Sequence, residues 1–190
     1  MSTNLEIEFK NMLNVTEYKK LLNEFSINEE QIWTQKNIYF DTPSSQLKKQ
    51  EAALRIRVKN STYELTLKTK AEVGLLETNQ IITKQEYQSL KYDHVLIEGP
   101  VYDALKALQI DVTKLQVITD LTTKRAEIPY QNGLLVLDKS FYSDIIDYEL
   151  EYEVNDYDKG LSNFQELLKK FDIPIRPTEN KIKRATAAMR

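Results

Sequence analysis

The sequence contains no cysteine, one histidine, one tryptophan and only four glycines in 190 residues. Without thiols there is no disulfide, thiolate zinc site, iron–sulfur cluster or cysteine nucleophile. His94 alone cannot build an all-histidine metal site within one chain. Gly74, Gly99, Gly133 and Gly160 are scattered, so neither a phosphate-binding glycine loop nor a dinucleotide fingerprint can be written from them. No apolar run approaches the roughly 18 to 20 residues of a membrane-spanning helix. The first residues lack the basic and apolar regions of a signal peptide, so the cytoplasm is the expected location. A dominant sign of charge is missing too: 26 Lys and Arg face 29 Asp and Glu, a net charge of −3. A dedicated nucleic-acid binder normally carries a basic excess, so neither nucleic acid nor membrane is an expected partner. Any metal site has to come from oxygen ligands, which favours Mg²⁺, Mn²⁺ or Ca²⁺.

What is present is a high density of charge, 29% of residues, beside 41% hydrophobic residues that include 11 Tyr and 6 Phe. That is enough apolar material for a core, and the length suits one domain, taken as 1–190. Strand-like alternation runs through Leu5–Lys10, Ala53–Lys59 and Tyr63–Lys68, with further strands expected over 31–40, 75–82, 115–128, 134–140 and 147–154. Asn132-Gly133 is a hairpin signal. Asn14 with Glu17, and Thr83 with Glu86, have capping-box spacing and open helices. Gly99-Pro100 opens a short helix, and 161–171 reads as an amphipathic one. Asp41, before Thr42-Pro43, is expected to form a turn.

Alternate residues of a strand share a face. One face is apolar: Leu5, Ile7 and Phe9; Leu54, Ile56 and Val58; Leu65 and Leu67; Leu135 and Leu137; Leu150 and Tyr152. The other carries Glu6, Glu8 and Lys10; Arg55 and Arg57; Lys68; Arg125; Asp138; Glu149 and Glu151. Two arrangements satisfy this pattern. An antiparallel sheet can place the apolar face on helices and the charged face in water. Alternatively, the strands close into a barrel with the charges inside and helices over the apolar outside. Buried carboxylates beside Arg and Lys then need compensation, which a polyphosphate with a divalent cation supplies. Arg grips phosphoryl oxygens in bidentate fashion, and Glu-x-Glu pairs suit a hard cation.

Glu6-Ile-Glu-Phe-Lys10 resembles the Glu-x-Glu-x-Lys signature of the CYTH superfamily, the triphosphate tunnel metalloenzymes. Matching segments follow in order: Tyr39–Thr42, Leu54–Arg57, Leu65–Lys68, Thr123–Arg125, Leu137-Asp138, Glu149–Glu151 and Asn180–Arg184. The resemblance implies an α+β fold: a closed eight-stranded antiparallel β-barrel, the triphosphate tunnel, with helices packed outside. It implies a metal-dependent phosphohydrolase acting on a triphosphate, inorganic triphosphate first, with Mg²⁺ or Mn²⁺. Alternatives are an organic triphosphate (nucleotide or thiamine triphosphate), a cyclase, or a non-catalytic polyphosphate or nucleotide binder. By the same resemblance Glu6, Glu8, Asp138, Glu149 and Glu151 are metal ligands. Lys10, Arg55, Arg57, Lys68, Arg125, Lys181 and Arg184 bind phosphate, and Glu6, Glu8, Lys10 and Lys68 are catalytic. Glu77 sits near the place of a tunnel acid. Thr123 stands where many relatives have Lys, leaving that contact open. The His-Phe-Asp element of the small bacterial adenylyl cyclases in this superfamily is absent. A monomer or homodimer is expected. Glu153 and Lys59, near strand ends, are expected to be solvated, the basic tail to form a lid or wall, and the tyrosines mostly to pack the barrel, with Tyr39 a candidate for a substrate-orienting residue at a tunnel mouth.

Overall fold

The computed structural model describes residues 2–189. Its strands are β1 (Ser2–Leu13), β2 (Trp33–Asp41), β3 (Ala53–Lys59), β4 (Thr62–Lys70), β5 (Leu75–Ile82), β6 (Gln116–Tyr130), β7 (Gly133–Tyr142) and β8 (Ile145–Val154). They close into an antiparallel barrel in the order β1-β5-β4-β3-β2-β6-β7-β8. Closure leaves no edge strand with unpaired backbone. β1 closes it by changing partners: residues 2–6 pair with β5 and residues 7–13 with β8. The change falls between Glu6 and Ile7, inside the Glu-x-Glu-x-Lys segment.

Of the two arrangements the strand pattern allowed, the inverted barrel is the one adopted. Leu54, Ile56, Leu65 and Leu67 point outward and are buried beneath α2 (Gln46–Lys49), α4 (Pro100–Ala107) and the segment between α4 and β6. Leu135, Leu137, Leu150 and Tyr152 are buried beneath α1 (Val15–Glu24) and α5 (Tyr157–Lys170). Each such Leu or Ile contributes about 1.5 to 3 kcal/mol by leaving water. The helical cladding therefore drives closure, and the lumen can remain polar. α1 starts with the expected capping box, Asn14 Oδ1 accepting from Glu17 N at 2.9 Å. α3 (Lys84–Gln88) has the Thr83 and Glu86 equivalent.

Two glycines permit close approaches. A Cβ on Gly160 would meet Val154 Cγ2 at 2.5 Å and Phe9 Cε2 at 2.8 Å, so glycine lets α5 lie against β1 and β8. Gly74 turns the β4–β5 hairpin with φ of +73°, and a Cβ there would come 2.1 Å from the Glu6 carbonyl oxygen. That turn seats the backbone of Glu6.

Several local expectations change. The β6–β7 hairpin turns on Gln131-Asn132, with Tyr130 paired to Gly133 and positive φ at Gln131. Gly133 already belongs to β7, where a side chain would strike the Glu153 carbonyl at 2.5 Å. Leu5 is 53% exposed, because the helical cladding of β1 begins at Phe9. Asp41 is a cap as well as a turn former: Oδ1 accepts from Thr42 N and Leu47 N, and Oδ2 from Lys48 N. The basic tail forms a helix, α6 (Lys181–Ala187), which inserts into one end of the barrel. Ala185 is fully buried there among Tyr39, Leu121 and Tyr142. Tyr39 is thus packed beneath a plug and does not stand at a mouth. No helix among the described residues is long and apolar enough to cross a membrane.

Candidate active site in the barrel lumen

One wall of the lumen is cationic. β3 turns Arg55 and Arg57 inward, opposite Tyr39 and Asn37 of β2 and Thr66 and Glu64 of β4. Arg55 is buried and its Nε has no hydrogen-bond partner. Arg57 Nε donates to Asn37 Oδ1 at a long 3.4 Å. Burial, with Arg55 and Arg125 nearby, pushes the Arg57 guanidinium down to about 10. Among the described residues neither Arg55 nor Arg57 has a carboxylate within ion-pair distance. A buried guanidinium left unpaired is costly unless something arrives to meet it.

A second stretch of lumen is acidic. The β1–β8 register sets Glu8 opposite Glu153. Glu6, Glu8 and Glu153 each bring an oxygen atom to within 4.8 Å of the others. Glu153, expected to be solvated, is half-buried because β8 runs on to Val154 beside β1. Burial raises Glu153 to about 7, with Glu151, Glu6 and Glu8 adding to it against Arg125. Glu6 is also raised, by burial and then by Glu8 and Glu77, against Lys68. Two lysines bracket the trio. Lys68 Nζ donates to Glu6 Oε2 at 2.5 Å and lies 2.6 Å from Glu77 Oε1. Lys10 Nζ lies 2.7 Å from Glu8 and 3.3 Å from Glu151. Burial works to lower Lys10, but Glu151 and Glu8 outweigh it and raise it, so this ammonium is firmly charged.

The floor is a network of alternating charges. Arg125 grips Asp138 with two hydrogen bonds, 2.8 and 2.7 Å, and reaches Glu151 at 2.9 Å. Lys181 of α6 meets Glu149 at 2.5 Å, Glu151 at 2.7 Å and Asp138 at 2.9 Å. Arg184, one turn on, pairs with Glu149 and with Asp147. Glu151 is held well below the usual carboxylate range: burial opposes this, but Lys181, Lys10 and Arg125 prevail. Glu149 goes the other way, to about 7, raised by burial and by Glu151 against Lys181.

All twelve expected site residues face this one lumen or enter it from α6. They fall into different company than the motif order suggests. Asp138, Glu149 and Glu151 are engaged by cationic side chains, while Glu6 and Glu8 find their third acid in Glu153. Glu77 joins them through Lys68. Thr123 is buried in the lumen, 3.3 Å from the Ser140 hydroxyl, and Lys124 is exposed outside. Asp147, which holds Arg184 and accepts from Tyr142 Oη at 2.5 Å, was not foreseen. Its place on the Glu149 and Glu151 face of β8 was the available signal.

A pH dependence follows. Glu149 and Glu153, raised to about 7 from 4.5, bind more protons in the folded than in the unfolded state across that window. Stability therefore falls as pH rises from about 4.5 to 7. Asp138 and Glu151, both lowered, add stability above their unfolded values and lose it only at more acid pH. Urea unfolding free energy should peak near pH 5, by the same linkage, and decline toward pH 8. Glu153→Gln should flatten that decline.

Comparison with known proteins agrees with this architecture. The CYTH domain model matches residues 4–186. YjbK of Bacillus subtilis (strain 168), provisionally named a triphosphatase, is 48% identical over 184 residues, 97% of this chain and 95% of its own. A crystal structure from Bacillus halodurans, provisionally named an adenylate cyclase, is 43% identical with a TM-score of 0.94, covering 97% of this chain and 98% of that one. HpAC1 from Hippeastrum, described as having a dominant triphosphatase activity, shares the fold with a TM-score of 0.77 at 21% identity, over 96% of each chain. With the signature residues gathered in one tunnel and the family model spanning nearly its whole length, this chain belongs to the CYTH domain family.

Proposed function

We propose that this protein is a divalent-metal-dependent triphosphatase, with inorganic triphosphate as its foremost substrate. The observation that carries the reading is a buried and a half-buried guanidinium, Arg55 and Arg57, without carboxylate partners among the described residues and in the same lumen as three grouped carboxylates. A cationic wall of that kind suits a chain of phosphoryl groups, and grouped hard oxygen donors suit a hard cation. The donor set fits Mg²⁺ or Mn²⁺: three carboxylates, two of them with proton affinity raised by burial and by neighbouring acids despite Lys68 beside Glu6 and Arg125 near Glu153.

In this reading Arg55 and Arg57 hold equatorial phosphoryl oxygens, and Arg125 carries the positive field toward the floor. Glu6, Glu8 and Glu153 would hold the cation. When bound, that cation supplies Lewis-acid polarisation of a phosphoryl group and lowers the pKa of bound water. Lys10 and Lys68 each stand between two acids, and an ammonium that turns to a phosphoryl oxygen frees Glu8 or Glu6, whose charge the bound cation would offset. There they neutralise charge that builds on the phosphate chain as the terminal bond breaks. Lys181 and Arg184 keep Asp138, Glu149 and Glu151 fixed at the plugged end.

The names of the two Bacillus relatives support a triphosphate substrate and differ on the reaction. A nucleoside triphosphate, hydrolysed or cyclised, is the second reading. Phosphate and pyrophosphate release from inorganic triphosphate, ATP and thiamine triphosphate separates the two, assayed with Mg²⁺ and Mn²⁺ and again with chelator. Hydrolysis of inorganic triphosphate that vanishes with chelator is expected. No turnover of any triphosphate would overturn the reading. A ligand at 100 times its Kd should also stabilise the fold by about 2.7 kcal/mol through mass action, read as a rise in melting temperature.

A further inference from the structure

The barrel end opposite the α6 plug holds a cation that the proposed hydrolysis leaves unused. Trp33 opens β2, and its register with Arg125 puts it on the inner face. It is half-buried, and its Nε1 is buried with no hydrogen-bond partner. Lys59 closes β3, and its ammonium stands 3.7 Å from the centroid of the Trp33 ring. A cation over a Trp face is held by the ring quadrupole. Lys59 is therefore kept in place over the ring, and the ring face beneath it is occupied.

Arg55, Arg57 and Lys59 alternate along β3, so all three share the inner face. At strand rise the ladder spans about 13 Å from Arg55 to Lys59. Three phosphoryl groups in a row do not reach that far. Beside the outer rungs lies a cavity of about 340 Å³ lined by Arg57, Lys59, Asn60, Thr62 and Glu64. Glu64 is its one acid, and among the described residues it makes no ion pair with either base. Charge and hydrogen-bond donors thus continue outward from Arg57 to the end of the strand. The occupied ring face argues against a stacking platform for a planar base.

We propose that Lys59, seated on Trp33, forms an additional phosphate subsite at the open mouth, taking the fourth and later phosphoryl groups of a linear inorganic polyphosphate. The proposal rests on the triphosphatase reading above and extends it to chain length.

The test uses the full chain with inorganic triphosphate, linear tetraphosphate, a longer linear polyphosphate and ATP. Both initial rates and melting temperatures without metal are recorded. Lys59→Met should raise KM for tetraphosphate and longer chains about tenfold, the loss expected for one partly exposed charged contact. kcat should hold, and KM for triphosphate should stay within about twofold, since the contacts to Arg55 and Arg57 are untouched. The polyphosphate-induced rise in melting temperature should shrink in parallel. Trp33→Leu should act in the same direction but less, because the cation stays and loses only its seat. Equal effects of Lys59→Met on all chain lengths, or none, would overturn the subsite while leaving the hydrolase reading standing. Tighter ATP binding by Lys59→Met would overturn it in favour of a stacking platform. A wild-type protein that neither binds nor cleaves triphosphate would remove the underlying reading instead.

Discussion

Glu6→Gln combined with Glu8→Gln is expected to lower triphosphate hydrolysis by about a thousandfold, the equivalent of the several kcal/mol a bound metal ion contributes. The two amides keep the shape of the lumen and remove two of the three grouped negative charges. The barrel should stay folded. Lys68 keeps Glu77 and Lys10 keeps Glu151, so neither ammonium is stranded. Removing charge from Glu6 also relieves a carboxylate that burial, Glu8 and Glu77 already raise. Melting temperature at pH 8 should therefore change little, and triphosphate should still bind through Arg55 and Arg57. Wild-type hydrolysis rates in the double variant, with the fold confirmed by circular dichroism, would exclude these residues from the chemistry.

Arg125→Met should have the largest effect on stability. Arg125 is buried, lies on a strand at the centre of the barrel wall, and serves both Asp138 and Glu151. Methionine leaves those two carboxylates short of a cation in a site with little water. Removing one partner of a buried pair costs about 3 to 5 kcal/mol. At about 2 to 4 °C per kcal/mol for a chain of this size, that is a fall of roughly 6 to 20 °C in melting temperature. The sign with pH is distinctive. Without Arg125 the proton affinities of Asp138 and Glu151 rise, so protonation relieves the variant. The gap between wild type and Arg125→Met should be widest near pH 8 and narrow toward pH 5. A gap that ignores pH would mean that lost packing, and not uncompensated charge, is responsible.

The contrast between β3 and β8 shows how legible the site was. Arg55 and Arg57 were readable because strand alternation alone sets them on one face, whichever way that face points. Glu153 has the same alternation as Glu149 and Glu151 yet looked like a strand-end residue. Only the β1–β8 register, which pairs it with Glu8, brings it into the acidic trio. Tyr39 packs inside the barrel, as most of the tyrosines are expected to, and is kept from a mouth for a related reason. Its strand was clear, but α6 returns from about 140 residues later to cover it. A seven-residue helix of Lys, Ile, Arg, Ala and Thr has no periodicity strong enough to announce which end of a barrel it fills.

The sequence by itself determined the strands, the two faces and their chemistry, because alternation and capping are local and act within a few residues. It also determined, through the missing thiols and a single imidazole, that a metal site here is built mainly from oxygen ligands. Tertiary structure decided which way the charged face points, since that depends on apolar helices far along the chain covering the other face. It decided, too, which charges are spent on one another and which remain open to a ligand. Lys181 satisfies Asp138, Glu149 and Glu151 from thirty or more residues away, while among the described residues no carboxylate lies within ion-pair distance of Arg55 or Arg57. Pairing of charges is a matter of distance in space, and strand register with the seating of α6 fixes those distances.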